Sequence, residues 1–107
     1  MMNKRLKKKK GLSKIREEEL WGLDVTLAKY ILPRLIRFKD INDMSYPHDF
    51  ESHEQWRKTI DKMIYAFEYV IKSNYEVYTD LEEERKRAEK YREGMLLFAE
   101  YFMDLWD

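Results

Sequence analysis

Apolar side chains recur at steps of three and four residues in three separate stretches of this chain. Such spacing places them on one face of a helix, because an α-helix turns once every 3.6 residues. The three faces consist of Leu23, Leu27, Ile31, Leu35 and Phe38; of Trp56, Ile60, Met63, Ile64, Phe67 and Ile71; and of Ala88, Tyr91, Met95, Phe98, Phe102 and Leu105. The pattern predicts an all-α fold in which three main helices form a small bundle.

The first of these helices contains a proline, Pro33. Proline has no backbone N–H, and its ring clashes with the carbonyl four residues earlier, which costs about 3 kcal/mol inside a helix. Two arrangements are compatible with this residue: one helix kinked at Pro33, or two helices that meet at Leu32 and Pro33. The apolar face keeps its phase across the proline, so we expect the continuous, kinked helix.

Polar residues ahead of each stretch predict where the helices begin. The candidates for the N-terminal caps are Asp24, then Ser52 with Gln55, then Thr79 with Glu82. The last two pairs have the spacing of a capping box. The second helix is expected to end near Asn74, and the last to be long and to reach the C-terminus. Between the first two helices, residues 40–51 predict a loop pinned to the helices by Tyr46, Pro47 and Phe50.

The predicted helices differ in length. At 1.5 Å per residue they would measure about 24, 30 and 40 Å in chain order. The last helix would then overhang its neighbours and leave apolar side chains exposed unless another element covered them. Because exposed apolar surface marks contact sites, this mismatch favours a homodimer.

Charge is distributed very unevenly along the chain, although the formal net charge is zero. Residues 1–16 carry eight basic side chains and no acidic one, which leaves 13 basic against 21 acidic residues, a net charge of −8, in residues 17–107. Mutual repulsion of like charges opposes order. We therefore expect residues 1–12 to form a disordered basic arm and residues 13–107 a single helical domain.

The arm is a candidate nucleic-acid-binding segment, because cationic side chains that contact phosphates release counterions. Its candidate residues are Lys4, Arg5, Lys7, Lys8, Lys9 and Lys10. Lysine-rich tails are also commonly solubilising, and this one has no interleaved aromatic residue to stack on bases. A third possibility is that the arm contacts the acidic domain, within one chain or across a dimer.

The first helix carries the candidate ligand-binding residues Lys29, Tyr30, Arg34 and Arg37. Guanidinium groups beside aromatic planes suit a phosphorylated nucleotide. The alternative is a solvated charged face whose aliphatic stems cover the core. Gly94 lies in the middle of the last helix, where glycine costs about 1 kcal/mol relative to alanine, and its expected purpose is close helix packing. Room for a ligand is the alternative.

Catalytic and metal-binding patterns are weak. The chain has no cysteine, no glycine-rich phosphate loop and no Gly-x-Ser-x-Gly motif. His48, Asp49, Glu51 and His53 lie close in sequence, but their spacing matches no common zinc motif. We expect no metal, no cofactor and no catalytic residues. The sequence shows neither a secretion signal nor an apolar run of about 20 residues, so no membrane association is expected.

Several short motifs in fixed order resemble a family of small proteins encoded by tailed bacteriophages. They are Trp-x-Leu-Asp from Trp21, Ala-Lys-x-Ile-Leu-Pro-Arg-Leu-x-x-Phe-Lys from Ala28, Asp-Lys-Met-Ile-x-Ala-Phe-Glu from Asp61, and Leu-Phe-Ala-x-Tyr-Phe-x-x-Leu-Trp from Leu97. The resemblance spans Trp21 to Trp106 and excludes the basic arm. It implies a phage origin and action in the cytoplasm of the infected bacterial host, without implying an activity.

These observations favour a non-enzymatic phage accessory protein that binds a host factor in host takeover or counter-defence. One form of this hypothesis is a sponge for a nucleotide immune signal, held by the ligand-binding residues of the first helix. The alternative hypothesis is an RNA- or DNA-associated protein that acts through its arm. An enzyme would require a buried constellation of ionisable groups, which the sequence does not reveal.

Overall fold

The computed structural model describes residues 12–42, 45–73 and 80–106. Four α-helices lie in this part of the chain: α1 (Glu18–Trp21), α2 (Leu23–Ile41), α3 (His53–Lys72) and α4 (Leu81–Glu100). Short 3₁₀ turns at Leu12–Lys14 and Phe102–Asp104 precede and follow them. The described residues contain no β-strand. The predicted all-α fold with three main helices is therefore confirmed.

Helix α2 runs without a break from Leu23 to Ile41 and contains Pro33. The chain therefore forms one continuous helix here, as expected, and not two helices that meet at the proline. Burial of the helix against its neighbour offsets the missing hydrogen bond, because each fully buried large apolar side chain stabilises the fold by about 1.5–3 kcal/mol. Ala28 and Leu35 are the residues of α2 that are fully buried.

Helix α3 forms the centre of the molecule, and α2 and α4 both pack against it. Over their described length, no Cα atom of α2 lies within 8 Å of a Cα atom of α4. The fully buried side chains of α3 supply most of the core: Trp56, Ile60, Met63, Ala66 and Phe67. The predicted apolar face of α3 is thus the face that is buried.

Gly94 is the fully buried residue of α4 and lies directly on α3. A Cβ atom at this position would overlap the carbonyl oxygen of Lys62 and lie 2.8 Å from the Cβ of Ala66. The absence of a side chain therefore lets the two helix backbones approach closely. The expectation that Gly94 serves helix packing is confirmed.

Two of the predicted N-terminal caps are wrong, and one is confirmed. Asp24 lies inside the first turn of α2, because the helix begins one residue earlier, after Gly22. Asp80, rather than Thr79, caps α4 and accepts hydrogen bonds from the backbone N–H groups of Glu82 and Glu83. Thr79 itself lies outside the described residues, as does Asn74.

The Ser52 cap is confirmed. Its hydroxyl oxygen accepts from the backbone N–H of Gln55 at 3.2 Å. The side chain of Gln55 in turn accepts from the backbone N–H of Glu51 at 3.0 Å, one residue earlier than a standard capping box requires. Helix α3 then continues to Lys72, where Ser73 caps its C-terminal end.

Helix α4 is not an overhanging element. It has 20 residues, the same as α3, and α2 has 19, so all three measure about 30 Å. The chain turns at Tyr101 and continues as a 3₁₀ turn instead of running as a helix to the C-terminus. The prediction of unequal helix lengths, on which the argument for a homodimer depended, is therefore wrong.

Contacts with the loop after α2 explain this turn. The ring of Phe50 contacts those of Trp56 and Tyr101 at centroid distances of 5.3 and 5.1 Å, and the Trp56 and Tyr101 rings lie 5.6 Å apart. The hydroxyl of Tyr101 donates to the Asp49 carboxylate at 2.7 Å. Phe50 thus pins the loop as expected. Tyr46 is 43% exposed, with its ring centroid 6.3 Å from that of His53, and Pro47 is partly buried.

Candidate functional site

The separation of α2 from α4 leaves a groove along one side of the bundle. Its volume is about 310 Å³. The residues that line this α2–α4 groove are Tyr30, Ile31, Arg34, Leu35, Phe38, Phe98, Phe102 and Leu105. Apolar and aromatic side chains dominate this lining, and Arg34 is its charged member. Such a combination suits a mainly apolar ligand or segment with one polar anchor.

Arg34 is held at the rim of the groove by its own helix. Its Nη1 donates to the carbonyl oxygen of Tyr30 at 2.8 Å. Its guanidinium carbon lies 3.6 Å from the centroid of the Tyr30 ring, within the range of a cation–π interaction. Both side chains are exposed. The pair therefore presents a flat, cationic surface to solvent in a fixed orientation.

The structure brings together only part of the predicted ligand-binding set. Tyr30 and Arg34 contact each other and line the groove. Arg37 is exposed about 60° around the helix axis from Arg34, outside the groove lining. Lys29 is exposed about 140° from Arg34. A ligand in the groove would meet the Tyr30–Arg34 pair but not Lys29.

The sequence did not single out the residues that form the opposite wall of the groove. Phe98, Phe102 and Leu105 were assigned to the buried face of a helix reaching the C-terminus. Because α4 ends at Glu100, Phe102 instead lies in a 3₁₀ turn and is 59% exposed. Met103 and Trp106, which follow it in the chain, are 86% and 66% exposed, and Trp106 lines a separate small cleft with Tyr46 and Pro47. We refer to Phe102, Met103 and Trp106 as the C-terminal apolar patch.

Two of the four potential metal ligands, His53 and Asp49, hydrogen-bond to different partners. His53 Nε2 lies 3.0 Å from the Oδ1 of Asn42, which is itself buried. Asp49 accepts from Tyr101. No group of residues in the described ranges has the arrangement of a metal site. The hydrogen bond to Asp49, together with burial and nearby negative charges, raises the pKa of Tyr101 to about 12.

A second cleft of about 330 Å³ lies between α3 and α4, lined by Asp61, Lys62, Tyr65, Lys90 and Glu93. Its charged groups mostly satisfy one another. Lys62 lies 2.8 Å from Glu93, and Asp61 lies 2.6 Å from Lys39 of α2. Because opposite charges alternate here, the cleft has no excess of charge with which to select an anion or a cation.

Comparisons with protein families, with curated proteins and with solved structures found no significant match to this chain. Among the described helices, none is both long enough and apolar enough to cross a membrane. The six candidate nucleic-acid-binding residues of the basic arm lie outside the described residues. The α2–α4 groove and the C-terminal apolar patch therefore form the candidate site.

Proposed function

We propose that this protein acts by binding and not by catalysis, and that the C-terminal apolar patch with the adjoining groove contacts a protein of the bacterial host. The observation that supports this proposal is the exposure of Phe102, Met103 and Trp106 beside a groove lined by further aromatic side chains. Several large apolar side chains exposed within one short segment of a small domain are the kind of surface that marks an interaction site. Aromatic residues and Met are also enriched in protein interfaces.

The resemblance to small tailed-phage proteins supports a role in host takeover or counter-defence, in the cytoplasm of the infected cell. A homodimer is part of this proposal. Its support is now the exposed apolar surface of α1 and α2, where Leu20, Trp21, Leu27 and Tyr30 are each about half exposed or more.

Affinity capture from phage-infected bacteria, read out by native mass spectrometry, tests host-protein binding. The informative variant is Phe102→Asp with Met103→Asp, and the matched control is Leu81→Asp with Leu96→Asp on α4. Both control side chains are highly exposed, at 81% and 65%, and lie outside the groove. We expect wild type and control to retain one host protein that the patch variant loses. Equal recovery by all three would contradict the proposal.

The nucleotide sponge is a more specific form of the same proposal. It is supported by the Tyr30–Arg34 pair, whose ring plane and guanidinium donors suit a base and a phosphate. Purified protein should then show an increased melting temperature with one member of a panel of cyclic and ADP-ribose-type nucleotides. Arg34→Met should remove that increase. The absence of a shift with every nucleotide would end this form of the proposal.

Binding of RNA or DNA by the arm is the alternative, supported by the eight basic and no acidic side chains of residues 1–16. Deletion of residues 1–12 removes six of these charges. It should abolish the gel shift and lower the dependence of binding on salt. Binding that survives the deletion would show that the arm is not responsible.

A further inference from the structure

Helix α2 has a second apolar face, which the bundle does not bury. On α2 its positions follow steps of 4, 3, 4, 3 and 4 residues, the spacing of a coiled-coil seam. We call them the outer seam: Leu23, Leu27, Tyr30, Arg34, Arg37 and Ile41. All six are exposed, and the apolar members retain between 46% and 60% of their accessible surface. A seam of this kind normally packs against another helix.

Charge is segregated along the same segment. Residues 17–28 carry four acidic side chains and no basic one, whereas residues 29–39 carry four basic side chains and no acidic one. The helix macrodipole favours acids near a helix N-terminus, but its effect falls off within the first and last turns. It therefore does not account for Lys29 and Arg34 in the middle of α2. Asp40 follows, so residues 29–41 carry a net charge of +3 against −4 for residues 17–28. A segment with oppositely charged halves is complementary to a second copy of itself in reverse orientation.

We propose that two copies of this chain pair through their outer seams, with α1–α2 of one copy antiparallel to α1–α2 of the other. The inference rests on the homodimer of the proposed function and specifies its interface. Full overlap of residues 17–41 places the two-fold axis close to Tyr30. Each acidic N-terminal half then faces the basic half that contains Arg34 and Arg37. A parallel pair would instead bring like charges together.

The exposed area is sufficient for such a dimer. The apolar members of the seam on α2, with Leu20 and Trp21 of the adjoining α1, are between 46% and 78% exposed: Leu20, Trp21, Leu23, Leu27, Tyr30 and Ile41. At roughly 150–250 Å² per large side chain, they offer about 650 Å² of surface per copy. A standard interface buries about 800 Å² on each side, of which somewhat more than half is apolar. The aliphatic stems of the arginines add to this area.

Charge reversal provides the main test, with full-length chains analysed by native mass spectrometry and light scattering. The acid-reversed variant is Glu18→Lys with Asp24→Lys, and the base-reversed variant is Arg34→Glu with Arg37→Glu. We expect wild type to dimerise and each variant alone to dimerise at least tenfold more weakly, because the substitutions bring the net charge of the altered half to zero or −1 and remove the attraction between facing halves. A mixture of the two variants should form a heterodimer, since the unaltered basic half of one then meets the unaltered acidic half of the other.

The matched control is Arg85→Glu with Arg92→Glu, which makes the same change in net charge on exposed positions of α4. It should dimerise like wild type. Circular dichroism checks that each variant is helical. A monomeric wild type at about 100 μM, a control as weak as the base-reversed variant, or a mixture without heterodimer would each overturn the inference.

Crosslinking tests the same interface without altering charge. Because the natural chain has no cysteine, Tyr30→Cys introduces a single thiol near the expected axis. Mild oxidation should convert it to a disulfide-linked dimer at least tenfold faster than Leu96→Cys, an exposed position on α4. Equal rates would contradict the antiparallel arrangement. A monomeric wild type that still captures the host protein would refute this inference alone, because Phe102 and Met103 lie outside the outer seam, although Tyr30 and Arg34 belong to both the seam and the groove.

Discussion

Replacing Gly94 with alanine should destabilise the protein, although the same change usually strengthens a helix. In an exposed helix interior, alanine is favoured over glycine by about 1 kcal/mol. At Gly94 the added methyl would overlap the Lys62 carbonyl oxygen and lie 2.8 Å from Ala66 Cβ, where carbon atoms normally remain about 3.5–4.0 Å apart. The obstructing carbonyl belongs to the α3 backbone and cannot rotate away.

The helices must therefore separate, by about 1 Å, along the contact that joins α3 to α4. Overpacking of this kind costs about 1–3 kcal/mol, and a rigid neighbour places the cost in the upper half of that range. After the gain in helix propensity, we expect a net loss of about 1–2 kcal/mol in the free energy of unfolding. For a domain of this size the melting temperature should fall by about 5–15 °C.

Urea unfolding followed by circular dichroism at 222 nm measures this change, with all variants at one protein concentration. The control is Gly22→Ala, because a Cβ at Gly22 would meet no atom within 4 Å. We expect Gly22→Ala to remain within about 0.5 kcal/mol of wild type. A Gly94→Ala protein as stable as wild type, or more stable, would refute the account of the α3–α4 contact.

Three further predictions concern the polar contacts of the fold. The pKa of Tyr101 is raised to about 12, so the folded chain holds the phenol proton more tightly than the unfolded chain does. The resulting stabilisation of the folded state is complete below pH 10 and should be lost as the pH rises through 12. Absorbance titration at 295 nm should show that Asp49→Asn lowers this pKa, and an unchanged titration would count against the hydrogen bond. Ser52→Ala and Asp80→Ala each remove an N-terminal cap and should each cost about 1 kcal/mol by urea unfolding, whereas the exposed substitution Glu54→Ala should cost much less. Asn42→Ala removes a buried amide that contacts His53 and Ser45, and should cost about 1–3 kcal/mol; a smaller loss would mean that water replaces the amide.

The sequence predicted α3 most accurately, because its local signals agree with its surroundings. Ser52 caps the helix, and the apolar positions that follow include Trp56, Ile60 and Met63, all fully buried. Helix α2 is less predictable because it carries two apolar stripes. Leu23 and Leu27 were placed on the core face, yet they are 46% and 49% exposed, whereas Ala28 is fully buried. Periodicity alone cannot determine which stripe a neighbouring helix covers.

The end of α4 depends on residues distant in the sequence. Tyr101 leaves the helix and contacts Asp49 and Phe50, about fifty positions earlier. The residues next to Tyr101 in the sequence do not indicate these contacts, so the sequence predicted a helix to the C-terminus. The same error concealed the candidate site, because Phe102 was assigned to a buried helical face. The contact between Tyr30 and Arg34 could be predicted from the sequence, because both residues lie on one helix, four positions apart.

The lack of backbone contact between α2 and α4 has a consequence for how the molecule unfolds. The α3–α4 pair retains its own closely packed contact when α2 detaches, whereas α3 is the one main helix that α2 contacts in the described part of the chain. Local opening should therefore begin at α2, and native-state hydrogen exchange should release its amides at lower free energy than those of α3. Any partner that binds α2 would hold it against α3 and bring the amide exchange rates of α2 and α3 closer together.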